Sequence, residues 1–203
     1  AVVVVFCICY VYYKTPYFNL IGVDIDGNLT YSDEYIMEKS GIEVGKKIFE
    51  VDRSKVKENI ENEVYVENAR VVYELPNKIF LDIKERVNTY QVFFNNEYII
   101  IDKNGIVLRT CNEKLDLLTI ESYTDVVYNI GDNIQFAGVE NNEKVFNAIE
   151  YLNNEYGSDI IKAFNIELNN SFLFKTQYGT AVRIDLSEDI NYQIVFGMKI
   201  INE

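Results

Sequence analysis

The chain opens with AVVVVFCICYVYY, thirteen apolar or aromatic residues without a charge, and breaks at Lys14-Thr15-Pro16. No other stretch restricts its folding so strongly. As a helix rising 1.5 Å per residue, the run measures about 20 Å, short of the ~30 Å hydrocarbon core of a bilayer. The sequence starts at Ala1 rather than Met, so residues 1–16 are expected to be the C-terminal part of a transmembrane helix. Tyr10, Tyr12 and Tyr13 would form an aromatic belt at the membrane–water interface. A signal-peptide core would need an A-x-A-like cleavage site, and none follows. A buried strand is the remaining alternative, because Val is β-prone. The acidic remainder carries no basic cluster beside Lys14, which by the positive-inside rule places it outside the cytoplasm, with the N-terminus inside.

The 203 residues suffice for one large or two small domains, and 48% hydrophobic content with 16 Tyr and 12 Phe excludes a disordered chain. A net charge of −13 argues against nucleic acid, whose phosphates need a basic stripe. The absence of histidine removes Ser-His-Asp and Cys-His catalysis and any His-ligated metal site. Cys7 and Cys9 fall in the apolar run, leaving Cys111 alone in the rest of the chain without a disulfide partner or a general base. The acid pairs Glu140/Glu143 and Glu188/Asp189 fall at expected helix starts, where capping and dipole compensation account for them. VDIDGNLTYSDEYI imitates a calcium loop, with Asp24, Asp26 and Asn28 at alternate positions. An EF-hand needs glycine at its sixth position and glutamate at its twelfth, and those positions hold Leu29 and Tyr35. No catalytic residue, metal site, cofactor or small-molecule substrate is expected.

From Tyr17 the pattern reads strand, helix, helix, strand, strand. FNLIGVDIDG is half-buried and extended. Ser32 caps a helix that Gly41 ends, and Asp52 caps a second. In NARVVYELPNKIFLDIKER, Ala69, Val71, Tyr73 and Leu75 share one face, Pro76-Asn77 turns, and Ile79, Leu81 and Ile83 return. After Arg86 the chain becomes mostly β. EYIIIDKNGIVLRT is a hairpin with Gly105 at a positive φ. In NNEKVFNAIEYLNNEYG, Val145, Ile149, Leu152 and Tyr156 line one side of a helix that Gly157 stops. Three strands follow, ending in TAVRIDL, and Ser187 caps a last helix with Ile190, Ile194, Met198 and Ile201 on one face.

The order of the first module is that of a POTRA domain, β-α-α-β-β. With an apolar run before it and a β-rich module after it, the chain resembles the FtsQ/DivIB family of bacterial cell-division proteins. The resemblance is carried by Val23 through Asn28 with Ser32 and Ile36, Gly45-Lys46-Lys47-Ile48-Phe49, and Ala69-Arg70-Val71 with Leu75-Pro76-Asn77. Glu85-Arg86 and Ile101-Asp102-Lys103-Asn104-Gly105 with Val107 complete it. The chain departs where Val87-Asn88 replace a proline after Glu-Arg, and where Leu118-Thr119 stands for Leu-Pro. Family members also continue past the last helix with a further strand, so the β domain is expected to be truncated here.

The fold implied is α+β: membrane helix over 1–16, POTRA domain over 17–86, and a mostly antiparallel β domain with flanking helices over 87–203. The function implied is non-enzymatic assembly of the division machinery at the septum, from a single-pass position in the cell membrane. The partners implied are division membrane proteins resembling FtsB/DivIC and FtsL. The alternative is a POTRA-type receptor for secretion or outer-membrane assembly. Candidate partner-binding residues are Ala181, Arg183 and Asp185, on the face of TAVRIDL opposite Val182, Ile184 and Leu186, together with Glu85 and Arg86.

Overall fold

The computed structural model describes residue 10 and residues 12–202. The expected membrane helix falls mostly on residues 1–9 and 11, outside the described residues. Among those described, no helix is long and apolar enough to cross a membrane. The chain divides into two compact units, Ala1–Arg86 and Val87–Glu203.

In the first unit, strand β1 (Gly22–Asp26) is followed by helices α1 (Asp33–Ser40) and α2 (Arg53–Glu61) and strands β2 (Val66–Glu74) and β3 (Lys78–Glu85). The sheet order is β1-β3-β2. β2 and β3 pair antiparallel with Val71 opposite Leu81. β1 runs parallel to β3 with Val23 opposite Ile79, a pairing that needs the long crossover the two helices provide. Side-chain caps define both helices. Ser32 Oγ accepts from the Tyr35 N–H at 3.3 Å, and Asp52 Oδ1 accepts from Ser54 and Lys55 at 2.9 and 3.2 Å. Gly41 ends α1 at φ 68°. The resulting core includes Leu20, Ile36, Ile48, Ile60, Ile79 and Leu81, all fully buried. Each such side chain contributes about 1.5–3 kcal/mol relative to exposure. Leu75 does not share the face of Ala69 and Val71: β2 ends at Glu74, and Leu75 lies exposed in the turn.

The calcium-like stretch is a strand exit. Asp24 and Asp26 are exposed, and Asp24 Oδ2 pairs with Lys78 Nζ at 2.8 Å. Gly27 turns the chain at φ 85°, so close to β3 that a Cβ there would lie 1.9 Å from the Ile83 carbonyl oxygen. Only glycine fits this approach.

The second unit contains β4 (Tyr90–Phe94), β5 (Glu97–Ile101), β6 (Val107–Cys111), β7 (Leu118–Ser122), β8 (Val126–Val127) and β9 (Gln135–Phe136). Helix α3 (Asn142–Ile160), β10 (Ile161–Glu167), β11 (Ser171–Thr176), β12 (Ala181–Asp185) and α4 (Ile190–Asn202) follow. Seven strands form one sheet in the order β12-β11-β10-β7-β4-β5-β6, and β8 and β9 pair separately. Four of its six pairings are antiparallel, and the two made by β7 are parallel. The sheet is therefore mixed at its centre and antiparallel toward both edges. Hairpin turns use left-handed asparagines, Asn95-Asn96 (φ 49° and 65°) and Asn169-Asn170 (φ 63° and 54°). At the β5–β6 turn, Asp102 Oδ1 accepts from the Asn104 and Ile106 N–H groups, and Gly105 takes φ 85° against the Phe146 ring.

Helix α3 buries Val145, Ile149 and Leu152. Gly157 interrupts the helix as expected, with non-helical backbone at φ 73°, ψ 162°, and a further short helical stretch carries the span to Ile160. The last helix starts later than expected. Asp189, not Ser187, caps it, its Oδ1 accepting the Tyr192 N–H at 3.0 Å. Ile194 and Met198 face a core built on Phe164, Phe172 and Phe174, with Ile190 and Ile201 packed against its margin.

Candidate partner-binding edge

β12 is an edge strand of the seven-stranded sheet. Its pairing with β11 places Leu173 opposite Arg183 and Phe172 opposite Ile184. Ile184 and Leu186 are buried, Val182 is half-buried, and Ala181, Arg183 and Asp185 are exposed, the alternation read from the sequence. The backbone alternates as well. Leu186 donates to Asn170 O on the β11 side at 2.9 Å, so the N–H and C=O of Ala181, Arg183 and Asp185 point away from the sheet. The three sequence-predicted residues on this strand thus lie together, with exposed side chains and outward backbone.

Two contacts shape this edge. Arg183 Nε reaches Glu167 Oε2 on β10 at 2.7 Å; with the Arg183 side chain 67% exposed, this pair adds only about 0–1 kcal/mol. At Asp185, the side-chain amide of Gln193 in α4 answers both outward groups. Its Oε1 accepts the Asp185 N–H at 2.9 Å, and its Nε2 donates to the Asp185 carbonyl at 2.8 Å. Gln193 thereby occupies the position of one residue of a neighbouring strand. Beside Arg183 and Asp185, a shallow concavity of about 440 Å³ is lined also by Tyr123, Glu167, Leu168 and Asn169.

Helix α4 packs on β12. Gly197 sits so near Val182 that a Cβ would come within 2.8 Å of Val182 Cγ1. The side of α4 away from the core is apolar too: Tyr192, Val195, Phe196 and Ile200 are all exposed, and the Tyr192 and Phe196 rings stack at 6.0 Å. The signal was present in the sequence as residues 192, 195, 196 and 200, a second i, i+3, i+4, i+8 stripe beside the core stripe.

Glu85 and Arg86 belong to the first unit. Glu85 closes that unit's strand-exit loop. Its carboxylate accepts the Thr30 N–H at 2.8 and 3.0 Å and the Thr30 hydroxyl at 2.6 Å. The Arg86 N–H donates to Tyr65 O at 2.7 Å, extending the β2–β3 pairing. The Glu85 carboxylate therefore has an intramolecular task.

Of the residues weighed for chemistry, the side chains of two have local partners, and Glu143 lies in the first turn of α3. Asp189 caps α4, and Cys111 Sγ donates to Glu113 O at 3.2 Å. Among the described residues, no group of three or more His, Cys, Asp or Glu could hold a metal ion.

Comparison with known proteins agrees with this architecture. The POTRA domain, FtsQ-type, matches residues 18–86. The cell division protein DivIB of Clostridium botulinum (strain Hall) is 30% identical over 184 residues, covering 89% of this chain and 71% of that protein. Cell division protein DivIB of Clostridium tetani is 30% identical over 165 residues, 80% of this chain and 62% of the relative. That of Clostridium acetobutylicum is 36% identical over 95 residues, 47% of this chain and 38% of the relative.

Proposed function

The chain belongs to the FtsQ/DivIB family of bacterial cell-division proteins, and on that premise we propose that it assembles the division machinery by binding, without catalysis. In this reading the apolar N-terminus anchors the protein in the cell membrane. The two units lie outside the cytoplasm at the septum, and the partners are division membrane proteins resembling FtsB/DivIC and FtsL. The observation that carries it is the β12 edge. Outward backbone at Ala181 and Arg183 offers strand pairing, exposed side chains offer selectivity, and the apolar outer face of α4 lies on the helix packed against that strand. Strand addition gives affinity through main-chain hydrogen bonds, and an adjoining apolar helix supplies the desolvated anchor that main-chain pairing lacks.

Co-purification of partners from native membranes tests it. Arg183→Glu and Phe196→Glu change exposed side chains and should reduce recovered partner while leaving circular dichroism unchanged. Wild-type recovery with both variants would move the partner site away from this edge.

A further inference from the structure

The three-stranded sheet of the first unit has two chemically different ends. Register fixes them: Gly22 lies opposite Lys78 at the end where the chain arrives, and Asp26 opposite Asp82 at the end where it leaves. The leaving end is polar, closed by Thr30 on Glu85. The arriving end carries an exposed apolar patch beside the Lys78–Asp24 ion pair. Ile21 donates its N–H to Asn77 O beside the β2–β3 turn, and the loop carrying Val44 is held there by Gly45 N–H to Leu20 O at 2.8 Å. Tyr17, Ile21, Val44, Phe49 and Leu75 expose between 47 and 62% of their surface at this end. Rings tie the patch to the N-terminal segment: Tyr12 lies 6.0 Å from both Phe18 and Phe49, and Lys47 Nζ donates to Thr15 O at 2.7 Å.

We infer that this end of the first unit rests on the surface of a lipid bilayer, a seating that presupposes the membrane anchorage proposed above. Continuity with the apolar N-terminal run selects lipid as the occupant. The chemistry matches: tyrosines and aliphatics suited to the headgroup–acyl boundary, with Lys14 in the same segment and Lys47 held against Thr15 O and the Tyr12 ring, while Lys46 is paired with Glu43 at 2.7 Å. Each lysine near an anionic surface adds attraction. The leaving end, and the polar strand exit with it, then faces away from the membrane.

The chain contains no tryptophan, so a single substitution supplies a site-specific emitter. Ile21→Trp, Val44→Trp, Tyr10→Trp and Leu29→Trp variants of the full chain are reconstituted in phosphatidylcholine vesicles with and without brominated acyl chains. Leu29, 94% exposed near the leaving end, is the reference. Tyr10→Trp, Ile21→Trp and Val44→Trp should each lose roughly half their emission to bromine, because interfacial side chains reach ~5–10 Å into the headgroup–acyl boundary. Leu29→Trp should keep its emission. Quenching at Tyr10→Trp with Ile21→Trp or Val44→Trp as bright as Leu29→Trp overturns the seating and leaves the anchorage standing. An unquenched Tyr10→Trp overturns both, and a Leu29→Trp quenched as strongly as Val44→Trp overturns the orientation.

Discussion

Replacing Gly27 with alanine should unfold the first unit selectively, and the size of the effect can be worked out in parts. The left-handed backbone at φ 85° costs an L-residue about 1–2 kcal/mol. The added Cβ would sit 1.9 Å from Ile83 O and 3.0 Å from Ile83 C. These are backbone atoms of the central strand, so relief requires shifting β1 or β3, at about 1–3 kcal/mol. The sum, about 2–5 kcal/mol, is comparable to the ~3–5 kcal/mol that a core of this size supplies. Gly45 is the control: at φ 97° with nothing within 4 Å of a Cβ, Gly45→Ala carries the conformational cost alone. Urea unfolding followed by hydrogen exchange at the Ile25 and Leu81 amides reads the first unit specifically. With m near 1–3 kcal/mol/M, the Gly27→Ala midpoint should fall by roughly 1–3 M. A loss no greater than that of Gly45→Ala would refute the close approach.

Ile184→Asp places a carboxylate in the fully buried core under β12 and should cost more than ~4 kcal/mol, read as loss of cooperative unfolding in the second unit. Asn96→Gly relieves a left-handed asparagine at the β4–β5 turn and should raise that unit's stability by up to about 1 kcal/mol, measured by urea titration. Tyr90 has its hydroxyl pKa raised above the ordinary 10.0, first by burial and then by the Glu150 charge. The unfolded chain therefore releases this proton first, so stability present below pH 10 is lost as pH rises through the higher folded value. Unfolding followed across that range should show a shallower decline in Tyr90→Phe.

Where periodicity and capping act over a few residues, the sequence was readable. Ser32, Asp52 and Gly41 mark helix ends because their caps close on neighbours two or three residues away. The inward and outward faces of β12 follow from strict alternation against a one-sided core. What escaped depends on contacts distant along the chain. β7 runs parallel between β4 and β10, a placement that no local pattern around residues 118–122 encodes. The buried Gln91 side chain is satisfied by backbone groups of Leu115 and Leu117, in the segment that leads into β7. Leu75 looked like a strand residue because it continued the alternation, but the turn starts one residue earlier. At the candidate edge, Arg183 was reachable by alternation. Gln193 was not, since its role appears only once α4 folds back on β12.

The Gln193 amide also sets a threshold for anything that pairs along β12. Among the described residues, a strand laid on this edge meets open backbone at Ala181 and Arg183, then a competitor at Asp185 that belongs to the same chain. A tethered competitor acts at an effective concentration on the order of mM, and displacing it forfeits two hydrogen bonds of about 0.5–1.5 kcal/mol each. Two residues of unguarded backbone are too few to hold another copy of the chain by backbone alone, so the β12 edge is shielded from edge-to-edge pairing. A ligand strand that also grips the outer face of α4 has the surplus to exchange with the amide or to stop short of it. Any foreign strand pairing the full length of this edge would have to compete with a single glutamine.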